Sequence, residues 1–282
     1  MKHSSARRCG LALLALVFFS SLGSASGWSL SEPFDHSLFD QFLKKYVDAE
    51  GFVDYAAAQK DRALLDEYLR KMESQDPIDF KTWPREERLA FWLNAYHAAL
   101  IRTVLDHYPI KSLLDIPGVS DIVVFKMNEL QRSFNQIRKV ELIGGFHDEK
   151  IHLAISCGAV TCPPLQAEAF TGPRVEGQLF VLTKKFVNNT ALNRIDIEKK
   201  QVLASEIFKW YAEDFIMDFG LPESTLKFPP GQIATLSFLA YYLDDTDLAE
   251  FLEAGDYKIK YLRFDWTLND RALRPAAPAV VS

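Results

Sequence analysis

The stretch REERLAFWLNAYHAALIRTVLDHY, residues 85–108, constrains the fold more than any other part of the sequence. It contains neither glycine nor proline, and its middle is apolar on nearly every face of a helix. A helix on a protein surface keeps one polar face, so a helix that is apolar all round must be buried. The sequence therefore predicts a buried central helix over 85–107. The apolar side chains that other elements must cover are Leu89, Trp92, Leu93, Tyr96 and Leu100.

Shorter patterns predict what covers this helix. Apolar and β-branched runs predict strands at 122–127, 150–156 and 257–264. A small sheet is a natural cover for an apolar helix face, so we expect these three strands in one sheet packed against helix 85–107. Further segments, 205–219 among them, carry apolar residues at helical spacing. The predicted fold class is α+β, a predominantly helical single domain with a small β-sheet.

The segment 1–26 has the order of a secretory signal peptide. Basic residues precede the apolar run CGLALLALVFF, and the small residues SLGSASG follow it. The run is shorter than the roughly 20 residues that a membrane-spanning helix needs. We therefore expect a single globular domain over 27–270 and a loosely ordered tail over 271–282. The expected location is periplasmic or secreted.

Charge narrows the choice of partners. The whole chain has a formal net charge of −6, and the predicted signal peptide carries only basic charges, so the exported part is more acidic still. An acidic chain without a cluster of lysine and arginine has no electrostatic footprint for nucleic acid or for anionic lipid. No later apolar run is long enough to span a membrane. The expected partner is a small molecule or a peptide, and the sequence leaves the oligomeric state open.

The stretch IHLAISCGAVTCPPL, residues 151–165, carries the strongest chemical signal. Cys157 is followed by small residues that leave room for a substrate, and a thiol with a histidine base is a known nucleophilic pair. His152 is the nearest base, but along a continuous strand its side chain points to the opposite face from Cys157. The two meet only if the strand ends before Cys157. The other candidate base is His97, with Asn94 or Asp265 to orient an imidazole as a catalytic triad requires.

The same stretch allows two other interpretations. Cys157 and Cys162 are the cysteines left after the signal peptide, and in an oxidising compartment two nearby cysteines predict a disulfide. A closed disulfide would withdraw Cys157 from nucleophilic chemistry. His152 with both cysteines makes three candidate zinc ligands, but the intervals are at the edge of usual zinc spacings and no fourth ligand is evident. We expect no metal and no cofactor.

Aromatic and acidic residues elsewhere follow ordinary patterns. Trp92, Trp210 and Trp266 would line a pocket if the fold brought them together, although core packing explains most of the aromatic residues. The acidic residues around Glu213 and Asp214 are typical of a solvated face. The sequence contains no phosphate-binding loop, dinucleotide fingerprint or serine elbow.

Five blocks of the sequence resemble the domain-of-unknown-function 547 family. They are ERLAFWLNAYHAAL, YPIKSLLDI, KIHLAISCGAVTCPPLQAEAF, SEIFKWYAEDF and LRFDWTLN, in that order. The resemblance runs from about Phe34 to Asn269 and implies little about function, since the family is named for having no function assigned. Members usually carry Ile-Glu, often followed by His, where this chain has Ile137, Arg138 and Lys139. This chain has reversed the charge at that position.

Two functions remain in contention. The first is a cysteine-dependent hydrolase that attacks an amide or ester carbonyl through Cys157, with His152 or His97 as base. The second is a non-catalytic domain for ligand binding or envelope interactions, in which a Cys157–Cys162 disulfide shapes the pocket. The state of the two cysteines separates them.

Overall fold

A computed structural model describes residues 33–222, 224 and 226–274 of the chain. The predicted signal peptide and residues 275–282 of the predicted tail lie outside these residues. The helices that the structure describes are α1 (Ser37–Tyr46), α2 (Tyr55–Lys60), α3 (Ala63–Glu73), α4 (Pro77–Thr82), α5 (Arg85–His107), α6 (Phe134–Gln136), α7 (Gly144–Phe146), α8 (Val175–Val187), α9 (Glu206–Trp210), α10 (Ile216–Phe219), α11 (Pro230–Tyr242) and α12 (Thr246–Ala254).

Short helices of other types join these elements. A π-helix, Ile137–Ile143, connects α6 to α7. Within the described residues, five segments form 3₁₀ helices: Leu113–Asp115, Glu149–Leu153, Gly172–Arg174, Ala212–Phe215 and Arg271–Leu273. The last of them occupies the first residues of the predicted tail.

The predicted central helix is confirmed as α5. Proline at 84 precedes it and proline at 109 follows it, and a residue before proline is disfavoured in helical conformation. Its middle is closed to solvent on all sides, with Leu89, Phe91 and Leu93 at 0 % exposure. It packs against α3, α8, the π-helix and the strand Val123–Met127. Full burial follows from the absence of a polar face.

The strands in the described part of the chain form two separate sheets. Strands β1 (Val123–Met127) and β2 (Leu130–Ser133) pair as an antiparallel hairpin. Strand β4 (Gln201–Ser205) lies between β3 (Arg194–Asp196), which is antiparallel to it, and β5 (Lys258–Leu262), which is parallel. The α+β class, mostly helical with small sheets, is therefore confirmed.

The prediction of one sheet was wrong in two respects. Predicted strands 122–127 and 257–264 lie in different sheets, and segment 150–156 is not a strand. It begins as the 3₁₀ helix Glu149–Leu153, capped by the side chain of Asp148, and continues without regular structure. Every residue from 151 to 156 is buried, so the segment has no exposed face. An apolar run that is buried throughout fits a strand or a compact turn equally well, which is why its periodicity misled.

Two hydrophobic clusters fill the interior. One is centred on α5 and includes Leu100 and Leu113, and the other is centred on α11 and includes Ile207 and Phe264. Side chains from both clusters line one cavity, which is the candidate site.

Candidate functional site

The cysteine loop follows the 3₁₀ helix Glu149–Leu153. Cys157 and Cys162 are paired as a disulfide with their Cα atoms 5.7 Å apart. Gly158 lies between them with a φ of +74°, and a Cβ there would lie 2.6 Å from Leu113. Cys162 is 2 % exposed and belongs to the second hydrophobic cluster, whereas Cys157 is partly exposed. The loop therefore presents one of its two sulfur-bearing side chains outward.

Cys157 faces a cavity of about 170 Å³, which we call the aromatic cavity. Most of its walls are apolar, and the polar side chains among the lining residues include Ser120, Asn135, Arg138, His152 and Tyr211. The residues that line it are Tyr96, Leu100, Leu113, Leu114, Val119, Ser120, Phe134, Asn135, Arg138, His152, Ile155, Cys157, Pro163, Ile207, Trp210, Tyr211, Phe264 and Trp266. A concave apolar site with a few polar groups is the general form of a small-molecule site.

His152 is held on two sides. Its ring stacks on Tyr211, with centroids 4.2 Å apart and planes at 10°, and its Nε2 lies 2.9 Å from Oδ2 of Asp214. Burial lowers the pKa of His152 to about 4, against the raising effect of Asp214, while Arg138 lowers it further. The imidazole is therefore neutral at pH 7. Because a carboxylate only accepts hydrogen bonds, Nε2 carries the proton and Nδ1 carries the free lone pair.

The Nδ1 atom of His152 is buried and has no hydrogen-bond partner among the described residues. Buried polar atoms are rarely left without a partner, and exceptions often mark functional positions. A neutral imidazole fixed in this tautomer is a base of the type used in catalytic triads.

Arg138 supplies the charge of the cavity. It lies in the first turn of the π-helix, and π-helical turns are frequent at functional sites. Its guanidinium donates hydrogen bonds to Oη of Tyr211 and, at 3.3 Å, to Oδ1 of Asn135. Lys139, the next residue, is exposed and does not line the cavity.

Two exposed tryptophans and a buried phenylalanine form an aromatic group in the wall of the cavity. Trp210 and Trp266 stack with centroids 6.1 Å apart, and they are 42 % and 37 % exposed. Phe264 contacts both, at 4.8 Å and 4.5 Å between centroids. Trp92 is not part of this group, since it is 2 % exposed and packs against Phe80 and Phe125. We call Trp210, Phe264 and Trp266 the aromatic rim.

The remaining sequence candidates lie outside the cavity. Asn94 binds the backbone of Phe170 twice: Nδ2 donates to its carbonyl at 2.8 Å and Oδ1 accepts from its N–H at 3.0 Å. Nε2 of His97 accepts from the N–H of Ser156 at 3.0 Å, and burial lowers the pKa of His97 to about 3. Both side chains therefore hold the backbone of segments near the site.

Asp265 does not contact an imidazole among the described residues. Its Oδ1 accepts from the N–H of Thr267 at 2.9 Å, which stabilises the turn beside Trp266. Of the candidates drawn from the sequence, the structure brings His152, Cys157 and Trp266 together around one cavity, with Cys162 in the disulfide behind it.

Asp214 and Tyr211 were missed as site residues. The sequence predicted a solvated face at Asp214, and its side chain is 44 % exposed in the structure, but one of its oxygens also bonds His152. Asp214 lies in the 3₁₀ helix Ala212–Phe215, directly before the buried Phe215. The only signal was the spacing in WYAED, where an aromatic residue and a carboxylate stand three apart.

A second, acidic cleft lies on the other side of His152. It is lined by carboxyl groups of Glu149, Glu213, Asp214 and Asp218. Burial raises the pKa of Glu149 to about 6, and a hydrogen bond with Asp218 adds to the effect. In the part of the chain that the structure describes, no group of three or more His, Cys, Asp or Glu side chains is arranged to hold a metal ion.

Comparison with known proteins gives a family resemblance and no activity. A family model with the description "Protein of unknown function, DUF547" matches residues 80–187, which include α5, Arg138, His152 and the cysteine loop. The match supports the family resemblance over this part of the chain. No curated protein and no solved structure matches the sequence. Within the described residues, none of the helices has the length and apolar character needed to cross a membrane.

Proposed function

We propose that this chain is an exported domain that binds a small ligand in the aromatic cavity, with the Cys157–Cys162 disulfide as part of the wall. The observation that carries the proposal is the cavity itself, which joins apolar walls to a few polar side chains, Arg138, His152 and Tyr211 among them. The export part of the proposal rests on the signal-peptide pattern of residues 1–26 and on the disulfide, which suits an oxidising compartment.

The size of the cavity limits what it can hold. Its volume is about 170 Å³, close to that of an engineered cavity of roughly 150 Å³ that binds benzene. A single ring or a short acyl chain fits, and the aromatic rim offers further contact area outside. Burying roughly 120 Å² of apolar ligand surface contributes about 3 kcal/mol, so a simple ring compound should bind at millimolar concentration.

The test uses 4-phenylbutyramide, a neutral compound with one ring. Trp210 and Trp266 line the cavity, so ligand entry should change the tryptophan fluorescence in a saturable way. Ser120→Phe adds bulk at an exposed residue of the cavity wall and should abolish saturation. Val140→Phe adds the same ring to a residue that is 56 % exposed and outside the cavity, and should leave binding unchanged. Equal titrations for all three proteins would refute a ligand site in this cavity.

A second candidate, a thiol hydrolase, is favoured by the position of Cys157. Its side chain lines the same cavity as His152, whose Asp214-oriented ring keeps a free lone pair on Nδ1. After reduction by a dithiol, the Cys157 thiol would pass its proton to His152 and its sulfur would attack a carbonyl carbon. The leaving group would take that proton as its bond to carbon breaks, and water would then hydrolyse the thioester.

This candidate predicts a reactive thiol in the Cys162→Ala variant, where Cys157 cannot form the disulfide. Alkylation by iodoacetamide should follow a pKa below the free-thiol value of about 8.5. Adding Asp214→Asn, which removes the carboxylate that orients the imidazole, should slow it near pH 7. Alkylation that follows an unperturbed thiol pKa, or that is indifferent to Asp214→Asn, would eliminate the hydrolase and leave the binding domain.

A further inference from the structure

The charges around the aromatic cavity are unbalanced. Of its lining residues, Arg138 alone carries a permanent charge, and no aspartate or glutamate is among them. His152 is neutral at pH 7 because burial lowers its pKa. Three carboxylates bond lining residues from outside the cavity: Asp214 bonds His152, Asp121 accepts from Asn135, and Glu206 accepts from the N–H of Phe264. A ligand in the cavity therefore meets one positive charge.

Two other partly buried arginines of the described residues are neutralised within the protein. Arg102 lies 3.0 Å from Glu73, and Arg132 lies 2.5 Å from Glu141. Arg138, also partly buried, donates only to the neutral oxygens of Tyr211 and Asn135, and no carboxylate of the described residues lies within ion-pair distance of it. A guanidinium has five N–H donors, so donors remain for a further acceptor.

The guanidinium is also held in place. It lies over the ring of Tyr211, with 5.0 Å from Cζ to the centroid, while the same ring stacks on His152. A fixed arginine loses less conformational freedom on binding than a free surface side chain does. The net charge of the chain is −6, so an affinity for anions cannot come from the overall field of the protein. Any such preference must come from this position.

We propose that the ligand of the aromatic cavity is an organic acid, with its carboxylate on the Arg138 guanidinium and its apolar body against the aromatic walls and rim. This assignment rests on the proposed ligand-binding function and adds the chemical class of the ligand. Arginine binds a carboxylate through paired N–H donors, which fixes the orientation of the acid. The cavity volume suits an aryl or short-chain acyl body.

The experiment compares 4-phenylbutyrate with 4-phenylbutyramide, which have the same body and differ in charge. In the wild-type protein the acid should bind roughly tenfold more tightly than the amide, since a charge-assisted pair is stronger than a neutral one. Arg138→Gln should remove the preference, so that the acid and the amide bind with about equal affinity. Arg138→Lys should keep part of the preference. Lys139→Gln removes the neighbouring exposed charge and should keep all of it.

The outcomes separate the two proposals. Binding of both compounds with equal affinity, or a preference for the acid that survives in Arg138→Gln, overturns the carboxylate assignment while the binding function stands. Absence of saturable binding by either compound overturns the binding function itself. Phenyl phosphate binding more tightly than 4-phenylbutyrate would reassign the site to phosphate esters and also overturn the carboxylate assignment. Thermal unfolding of each variant confirms that it is folded before its affinity is compared.

Discussion

Reduction of the Cys157–Cys162 disulfide should lower stability by a small and calculable amount. The two cysteines are separated by 5 residues in sequence, and loop-closure entropy for so short a loop gives about 2 kcal/mol at 25 °C. Little packing should be lost in addition, because reduced cysteine behaves as a small apolar side chain and Cys162 stays buried in its cluster. The expected loss is therefore about 2 kcal/mol.

Urea unfolding with and without dithiothreitol measures this loss. The protein should carry Cys9→Ser, so that only the loop cysteines can react. For a domain of this size the midpoint should fall by roughly 0.5–1 M urea. In a variant that also carries Cys157→Ala and Cys162→Ala, the urea midpoint should be the same with and without dithiothreitol. Two thiols that titrate before any reductant is added, or an unchanged midpoint after both have been reduced, would refute the disulfide as a stabilising element.

Three further predictions concern the surroundings of the site. Acidification from pH 6.5 towards pH 4 should lower the free energy of unfolding, because burial lowers the pKa of His97 to about 3 and of His152 to about 4. Below pH 6.5 the unfolded chain binds protons that the folded chain does not, so the free energy of unfolding falls by up to about 1.4 kcal/mol per histidine for each pH unit. Urea unfolding midpoints at pH 7, 5.5 and 4.5 measure this loss. Gly158→Ala should lower the free energy of unfolding, measured by thermal unfolding, by about 1 kcal/mol more than Gly118→Ala does. Both glycines have positive φ, but only at Gly158 would an added Cβ meet a neighbour within 4 Å. Equal losses for the two variants would contradict this. Asn94→Ala should lower stability by about 2–5 kcal/mol, since it leaves a buried N–H and a buried carbonyl without partners, and ligand affinity should persist in the folded fraction.

The central helix could be predicted because its evidence is local. A run without glycine or proline, apolar on all faces, has few alternatives to a buried helix, and Arg85–His107 has these bounds in the structure. The elements around that helix were harder to predict, because they depend on pairing between strands that are far apart in the sequence. Strand β5 pairs in parallel with Gln201–Ser205, which the periodicity of either segment cannot reveal. Sheet membership therefore needed the tertiary structure.

The candidate site shows the same division. Cys157 and His152 were visible as reactive residue types close together in sequence, but their approach depended on the turn that replaces the predicted strand. Asp214 lies 62 residues from His152 along the chain, so no sequence spacing could pair them. The imidazole was found from the sequence, and the carboxylate that orients it was found only from the fold.

The position of the Arg138 side chain in the cavity wall could not be predicted from the sequence. Arg138 and Lys139 are adjacent and equally charged, and no helix was predicted at these positions, so neither side chain could be assigned to the interior. The segment Ile137–Ile143 is instead a π-helix, whose wider turn changes which side chains share a face. In this register Arg138 lines the cavity while Lys139 faces solvent. The position where this chain differs in charge from the family it resembles is therefore one that can contact a ligand. The matched variants Arg138→Gln and Lys139→Gln test that placement directly.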